Sequence, residues 1–547
     1  MGLSKLVKKF VPKKVIDFFG NPLVSLGVSL FLAWVLRPKV PEIEDFGTNE
    51  FDDFERGILL NKQSNDANIP VIYGERLVGG TRVFMETSGT DNTYLYMAIV
   101  MAEGEINSIE EVRVDDKAVT FASSLSDGTE VEVGSGDSNF YKNSESLIRI
   151  QPFFGTDGQS ASSLLSTLSS WGSNHRLRGL CYLALRFKWN QDAFTGIPKV
   201  QAKIKGKKVV TLASNLSEQT ATFSTNPAFC ILDYLRNERY GKGIATSEID
   251  LQSFYDASQV CVTQVTPYSG ASDINIFDTN AVIDTSQKII DNVRELLKGC
   301  RGYLPYTGGK YRLIIETTGS AAITLTEDDI IGGYNLSIPT KNERYNRVIV
   351  GFVNPARNFQ VDEVQFPSLS ETGYSSADQH ATMKTADGGF LLEGRFNFKT
   401  ITSPYQAEEM AEVILRRSRE AMTLGLNVSF DAYDLAIGDI VNITHSSLGF
   451  SAKAFRVMGL TFNEDFTIGL SLVEYQASHY TWASKSEVSS TPSTNLPNPF
   501  AIQPPASVTL SDQLIEYNDG TVIVALDVSI GASPDSFIDF YQVEYKL

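Results

Sequence analysis

Four histidines, His175, His380, His445 and His479, supply all the imidazole in this 547-residue chain. Nucleophilic catalysis by Ser or Cys needs a histidine within hydrogen-bond reach, itself oriented by a third group. None of the four lies in a nucleophile elbow, an HExxH helix or a Cys–His signature. His175 and His445 fall beside strand edges or turns, where a surface role is expected. A phosphate-cradling Gly-x-x-x-x-Gly-Lys-Ser/Thr loop is missing, because Leu304 and Arg236 stand where its first glycine belongs in the two nearest candidates. The carboxylates Glu327, Asp328 and Asp329 crowd together after Thr326, but without calcium-loop spacing. Thr326 as a cap, with acids in a first helical turn, accounts for them. Glu408, Glu409 and Glu412 share a helix whose other face is apolar, so they are expected to form its solvated face. The sequence therefore points to no catalytic residue, no cofactor and no metal. A glycan hydrolase stays as an alternative, since its paired acids meet in space rather than in sequence.

The bulk charge excludes another class. The formal net charge is −18, and residues 1–14 hold five lysines (Lys5, Lys8, Lys9, Lys13, Lys14) and no acid. Residues 15–547 thus carry 42 bases against 65 acids, a formal charge of −23. A sequence-reading nucleic-acid binder needs basic surface to neutralise phosphates. Cys181, Cys230, Cys261 and Cys300 are far apart and match no zinc or redox spacing, so they read as small buried residues. At this length three to five domains are expected.

The amino terminus is basic over residues 1–14 and apolar over 22–36, ending at Arg37-Pro38-Lys39. No small-x-small cleavage site follows, which argues against a secretory signal. The apolar core is shorter than the roughly 20 residues of a membrane span. Leu23, Val24, Leu26, Leu30, Phe31, Trp34 and Leu36 therefore read as a partner-binding or membrane-contacting segment. Burial in an oligomer interface is the leading reading, and membrane contact by residues 15–37 the competing one. The acidic stretch 42–55 reads as a tether.

The most legible element lies at the centre. Asn226 and Pro227 mark a helix start, Gly241 and Gly243 its end, and Ile231, Leu232, Tyr234 and Leu235 an apolar face. Ser247–Gln259 and Thr285–Gly299 are expected to be two further helices, followed by a hairpin turning at Gly308-Gly309. Ser403-Pro-Tyr-Gln406 opens another helix with a capping box. Flanking this centre are strand signals: Ile69–Phe84, the continuously apolar Tyr94–Ala102, Ile106–Val114, and a buried strand within His175–Trp189. Val200–Lys205 reads as a solvent-edged strand, and a meander begins at Thr423. The Ser/Gly/Asp-rich stretch 122–175 reads as an insertion with a loop-rich surface. An acidic loop is expected over 362–387.

Several of these stretches, in this order, resemble the central tail-hub and tip-attachment (host-specificity) family of long-tailed bacteriophages. The wording is carried by Ile69-Pro-Val-Ile-Tyr-Gly with Val78-Gly-Gly, Met101-Ala-Glu-Gly-Glu-Ile, Gly155-Thr-Asp-Gly-Gln, Trp171, Arg176-Leu-Arg-Gly, Asp192-Ala-Phe and Gly196-Ile-Pro. It continues in Phe223–Gly243, Gly438-Asp-Ile-Val and Leu472-Val-Glu-Tyr-Gln. The resemblance spans roughly residues 60–480 and does not include the apolar segment 22–36. It implies a virion structural protein at the tail tip, a homotrimer whose ring closes the tail tube and passes the tape-measure protein and then DNA. It implies distal tail and tail-tube proteins as partners, and host-receptor recognition through a carboxy-terminal continuation. DNA would pass without specific binding. The alternative is a membrane-anchored adhesin or a tail-associated glycan hydrolase.

The expected fold is α+β and multidomain. Residues 1–57 form the basic, apolar and acidic leader, while 58–121 and 176–215 make a first β-barrel-like hub domain interrupted by an inserted subdomain, 122–175. A helical α+β domain covers 216–338 and a second β-barrel-like hub domain 339–483. Residues 484–503 read as a linker and 504–547 as the start of a fibronectin type III sandwich, a fold of about 100 residues when complete.

Overall fold

The computed structural model describes residues 58–62, 67–367, 379–487, 505–531 and 541–544. The leader, with Leu23, Val24, Leu26, Leu30, Phe31, Trp34 and Leu36, lies outside the described residues. The fold is mostly β with a smaller helical share, and the chain divides into compact units at 1–487 and 488–547. Strands of three or more residues are numbered below.

In the first β-rich body, β1 (Val71–Tyr73), β2 (Glu75–Val78), β3 (Thr81–Ser88), β4 (Tyr94–Glu103) and β5 (Ile106–Val114) follow closely in sequence. They are joined by β6 (Ile148–Phe154), β7 (Leu180–Lys188) and β8 (Val200–Val209). One sheet runs β3-β4-β7-β6 and ends on the short strand Val131–Glu132. β4 is internal and buried from Tyr96 to Glu103, which is why its sequence is continuously apolar rather than alternating. β6 corrects the expectation for 122–175: within that polar stretch, Ile148, Ile150 and Phe153 turn inward and the strand pairs fully with β7. β8 also differs from expectation. It lies between β5 and β2 rather than at an edge, and its lysines face acids on its neighbours, with Lys203 2.8 Å from Glu75 and Lys208 2.7 Å from Glu105. A side chain at Gly206 would place Cβ 2.1 Å from the Ile72 carbonyl oxygen, so only glycine lets β8 pass β1.

The helical centre is larger than the sequence suggests. Helices α1 (Pro227–Arg236), α2 (Leu251–Cys261) and α3 (Ile289–Gly299) share one core with a helix and sheet from much later in the chain. α2 starts after a separate 3-10 turn, Thr246–Glu248, and α3 starts at Ile289 rather than Thr285. β9 (Ala281–Ile283) returns to pair with β1, tying the centre to the first body.

The remaining strands of this unit are β10 (Ala321–Leu325), β11 (Ile330–Ser337), β12 (Arg347–Asn354), β13 (Gln360–Phe366), β14 (Glu393–Asn397), β15 (Thr423–Val428), β16 (Ile440–His445), β17 (Phe450–Phe462) and β18 (Ile468–Glu474). The sheet β13-β12-β14 and helix α5 (Pro404–Arg419) pack into the helical core through Val350, Phe352, Met410 and Ala411. They were expected with the second β-rich body. The acidic loop expected over 362–387 is partly β13 and partly α4 (Gln379–Ala386), and Asp387 is buried against Arg419 at 2.8 Å. The second body is the sheet β10-β16-β17-β18-β15-β11, with a core including Leu426, Val441, Phe455 and Leu470. β10 enters parallel to β16, and the other pairs are antiparallel. In the unit 488–547, β19 (Val508–Glu516) and β20 (Val522–Ile530) form an antiparallel hairpin.

Candidate functional site: a buried ionic joint and exposed apolar faces

Helix α5 begins with half of the expected capping box: Ser403 Oγ accepts from the Gln406 N–H at 3.4 Å and Pro404 takes the first position, while the Gln406 amide donates to the Gly299 carbonyl at 3.0 Å rather than capping in return. Arg416, Arg417 and Arg419 sit in the last turn, where the helix dipole favours cations. The acidic face departs from expectation. Glu408, Glu409 and Glu412 are buried, with Glu409 only 1% exposed. The reason is a set of cations supplied from far along the chain. Lys485 Nζ lies 2.9 Å from Glu409 and also contacts Glu412, Arg301 lies 3.4 Å from Glu409, and Arg416 pairs with Glu412. Burial alone would lower the Lys485 ammonium pKa, but the two carboxylates hold it above its ordinary value.

A second buried carboxylate lies alongside. Glu316 accepts from Tyr480 Oη at 2.6 Å and from Arg417, and Arg456 of β17 stands 3.7 Å away. Arg301 and Arg456 both stack over the Tyr480 ring, at 5.5 Å each. Burial would raise the Glu316 pKa, yet Arg417 and Arg456 keep it below the usual carboxylate value. Arg456 also donates to the Thr317 carbonyl at 2.9 Å and the Gly438 carbonyl at 3.1 Å. The helical centre, the second sheet and the segment Ala477–Lys485 thus meet at one charged joint. The same segment is held by Trp482 Nε1 donating to Thr266 and the Lys485 N–H donating to Pro267. Such groups are worth little as pairs but costly to separate, because a lone buried charge has no solvent.

The other chemistry-bearing residues lie elsewhere. His175 is exposed and packs on Trp171 at 5.1 Å. His445 lies 3.4 Å from Glu327, and His380 belongs to α4. His479 is buried 2.9 Å from Glu420, and burial lowers its pKa against the pull of that carboxylate. Thr326 caps the expected acid-rich turn, which is a 3-10 turn, and it makes a capping box with Asp329. The four cysteines are buried thiols, and burial pushes Cys300 up to about 12. No helix among the described residues is long and apolar enough to cross a membrane. Among the described residues of the two β-rich bodies, exposed apolar side chains gather at several places. Met85, Trp189 and Ile197 line an open groove beside edge strand β3, Ile331 and Tyr334 lie on edge strand β11, and Phe430, Tyr433, Phe462 and Phe466 cluster at one end of the second sheet.

Open sheet edges beside exposed apolar side chains are a template on which another chain can pair. Residues 288–460 match the family model of phage tail proteins. The baseplate hub protein pb3 of Escherichia phage T5 is 25% identical over 461 residues, covering 74% of this chain and 47% of that protein. This chain is similar to phage tail and baseplate hub proteins. The tip attachment protein J of Escherichia phage SECphi27 is 21% identical over 291 residues, covering 49% of this chain and 23% of that protein. The chain therefore spans less than half the length of these relatives. A chain in the virion of a native gene transfer agent particle has the same fold, with a TM-score of 0.53 at 15% identity, covering 78% of this chain and 89% of that one. The resemblance to tail-hub proteins read from the ordered motifs is borne out.

Proposed function

We propose that this chain is a structural subunit of a phage tail hub at the tip of the virion tail. It assembles as a homotrimer in which the first and second β-rich bodies, each a barrel-like hub domain, alternate around a ring closing the tail tube. The observation that carries this reading is the relationship to the T5 baseplate hub protein across most of the chain. Distal tail and tail-tube proteins bind the ring, and the tape-measure protein and DNA pass through its lumen. The role is structural rather than catalytic. Receptor recognition belongs to the part of the protein beyond the linker 484–503.

Edge strands β3 and β11 support self-assembly, because unpaired backbone groups beside apolar side chains are a template for another chain. The charge supports passage of DNA. Across residues 421–484 the only bases besides histidine are Lys453 and Arg456, against Asp431, Asp434, Asp439, Glu464, Asp465 and Glu474. A wall of that sign does not bind phosphate. Native mass measurement of the purified full chain, followed by imaging of the ring, tests the reading. A trimer with an acidic or neutral lumen is expected. A stable monomer that takes up no tail-tube protein, or a lumen lined mainly by Lys and Arg, would overturn it.

A further inference from the structure

The end of the second sheet presents an unusual surface. Register pairs Val428 of β15 with Ile468 of β18, and Ile468 with Phe462 of β17. The loop after β15 and the β17–β18 turn therefore emerge side by side, and Asn463 donates across to Asn427 at 3.3 Å. Three aromatic rings come together there, with a fourth, Phe466, on the adjoining turn. Phe430 and Tyr433 stack at 5.1 Å, Tyr433 meets Phe462 at 5.7 Å, and Phe466 is 78% exposed at a turn residue with φ of 61°. Asp431, Asp434, Glu464 and Asp465 surround them, all exposed. Contiguous aromatic surface with a polar rim marks an interaction site.

The rim selects the partner by charge. Nucleic acid, anionic lipid and the acidic body of another copy are all repelled, while a segment both apolar and cationic is attracted. Lysine ammonium groups can in addition stack on the ring faces. The chain itself contains such a segment: five lysines without an acid over residues 1–14, the apolar run 22–36, then Arg37 and Lys39. We propose that the aromatic, acid-rimmed end of the second sheet docks residues 1–39 of this chain. The docking goes beyond the hub reading and does not depend on it.

The test replaces Phe466 in the full-length chain with the photo-crosslinking residue p-benzoylphenylalanine and maps the crosslinked peptides by mass spectrometry. Position 466 is exposed enough to accept the larger side chain. Crosslinks into residues 1–39 are expected. Their yield should fall about tenfold when Lys5, Lys8, Lys9, Lys13 and Lys14 are all changed to Gln, the sum of several exposed ion pairs. It should fall likewise with Asp434→Lys plus Glu464→Lys, and with rising salt. Crosslinks only to other parts of the chain or to a co-purifying protein, no crosslinks, or a yield indifferent to these charge changes would each overturn the proposal.

Discussion

Helices α1 and α5 start alike, but only α5 buries a row of carboxylates. Each opens with a capping residue followed by proline, Asn226-Pro227 and Ser403-Pro404, and each has an apolar stripe. In α1 the stripe is core, with Ile231, Leu232 and Leu235 buried. Its one anion, Asp233, receives the hydroxyls of Tyr73 and Tyr240, both at 2.6 Å. In α5 the polar face is buried as well, because Lys485 and Arg301 arrive to neutralise it. Amphipathicity predicts which face of a helix is core only when no distant partner comes to cover the other.

The strongest way to break that contrast is Lys485→Met. It leaves Glu409 and Glu412 buried with Arg301 and Arg416 as their remaining cations, and breaking the two buried pairs with Lys485 costs about 3 kcal/mol, the low end for such a loss. Adding Glu412→Gln removes one of these carboxylates, so the double variant should lose less than the single one. Denaturant midpoints of the unit ending at residue 487 measure both. A loss below about 1 kcal/mol for Lys485→Met, the scale of an exposed pair, would return the α5 carboxylates to solvent as the sequence alone suggests.

Local signals were legible wherever they were complete within a few residues. The cap at Asn226, the turn at Gly308-Gly309 and the acids that follow Thr326 in its first turn all stand as read, since the groups that satisfy each other are neighbours. The end of α1 comes earlier than Gly241 and Gly243 suggest: the helix stops at Arg236 with Asn237 as its cap, and Gly241 instead lets the chain return over the last turn, since a Cβ there would lie 1.9 Å from the Tyr234 carbonyl oxygen. Long-range features were not legible. Strand β6 sits in a polar, glycine-rich setting that hides its pairing with β7. The ionic joint was missed because Arg301 and Glu409 are 108 positions apart, and Tyr480 and Glu316 are 164 apart. The available local hint was the i,i+4 spacing of Glu412 and Arg416, which exposed helices show equally often.

The caps sharpen the contrast at smaller scale. Ser403→Ala removes one hydrogen bond from the start of α5 and should cost about 1 kcal/mol. Asn226→Ala should cost more, about 2 kcal/mol, because Asn226 is buried and its amide also donates to the Ser258 carbonyl at 3.0 Å. Thermal unfolding of the two variants side by side gives the order. Equal losses would mean that the Asn226 amide bond adds nothing beyond the cap.

The smallest effect depends on pH. Burial raises the Glu408 pKa, with Glu412 and Glu409 adding to the shift and Lys485 opposing it. The folded protein therefore holds this proton more tightly than the unfolded chain. Below the unfolded value, about 4.3, both states are protonated and the fold bears no penalty. As pH rises through the higher folded value, the buried carboxylate ionises and stability falls. Glu316 and Asp387, held low by arginines, behave oppositely: their contribution is present above the unfolded carboxylate range and fades only as pH drops below it. Glu408→Gln keeps the shape of the neutral acid, so it should raise the melting temperature at about pH 7 and match the parent at about pH 4. Destabilisation at about pH 7 would show instead that the charge on Glu408 is one that Lys485 needs, and that all three α5 carboxylates act as its counter-ions.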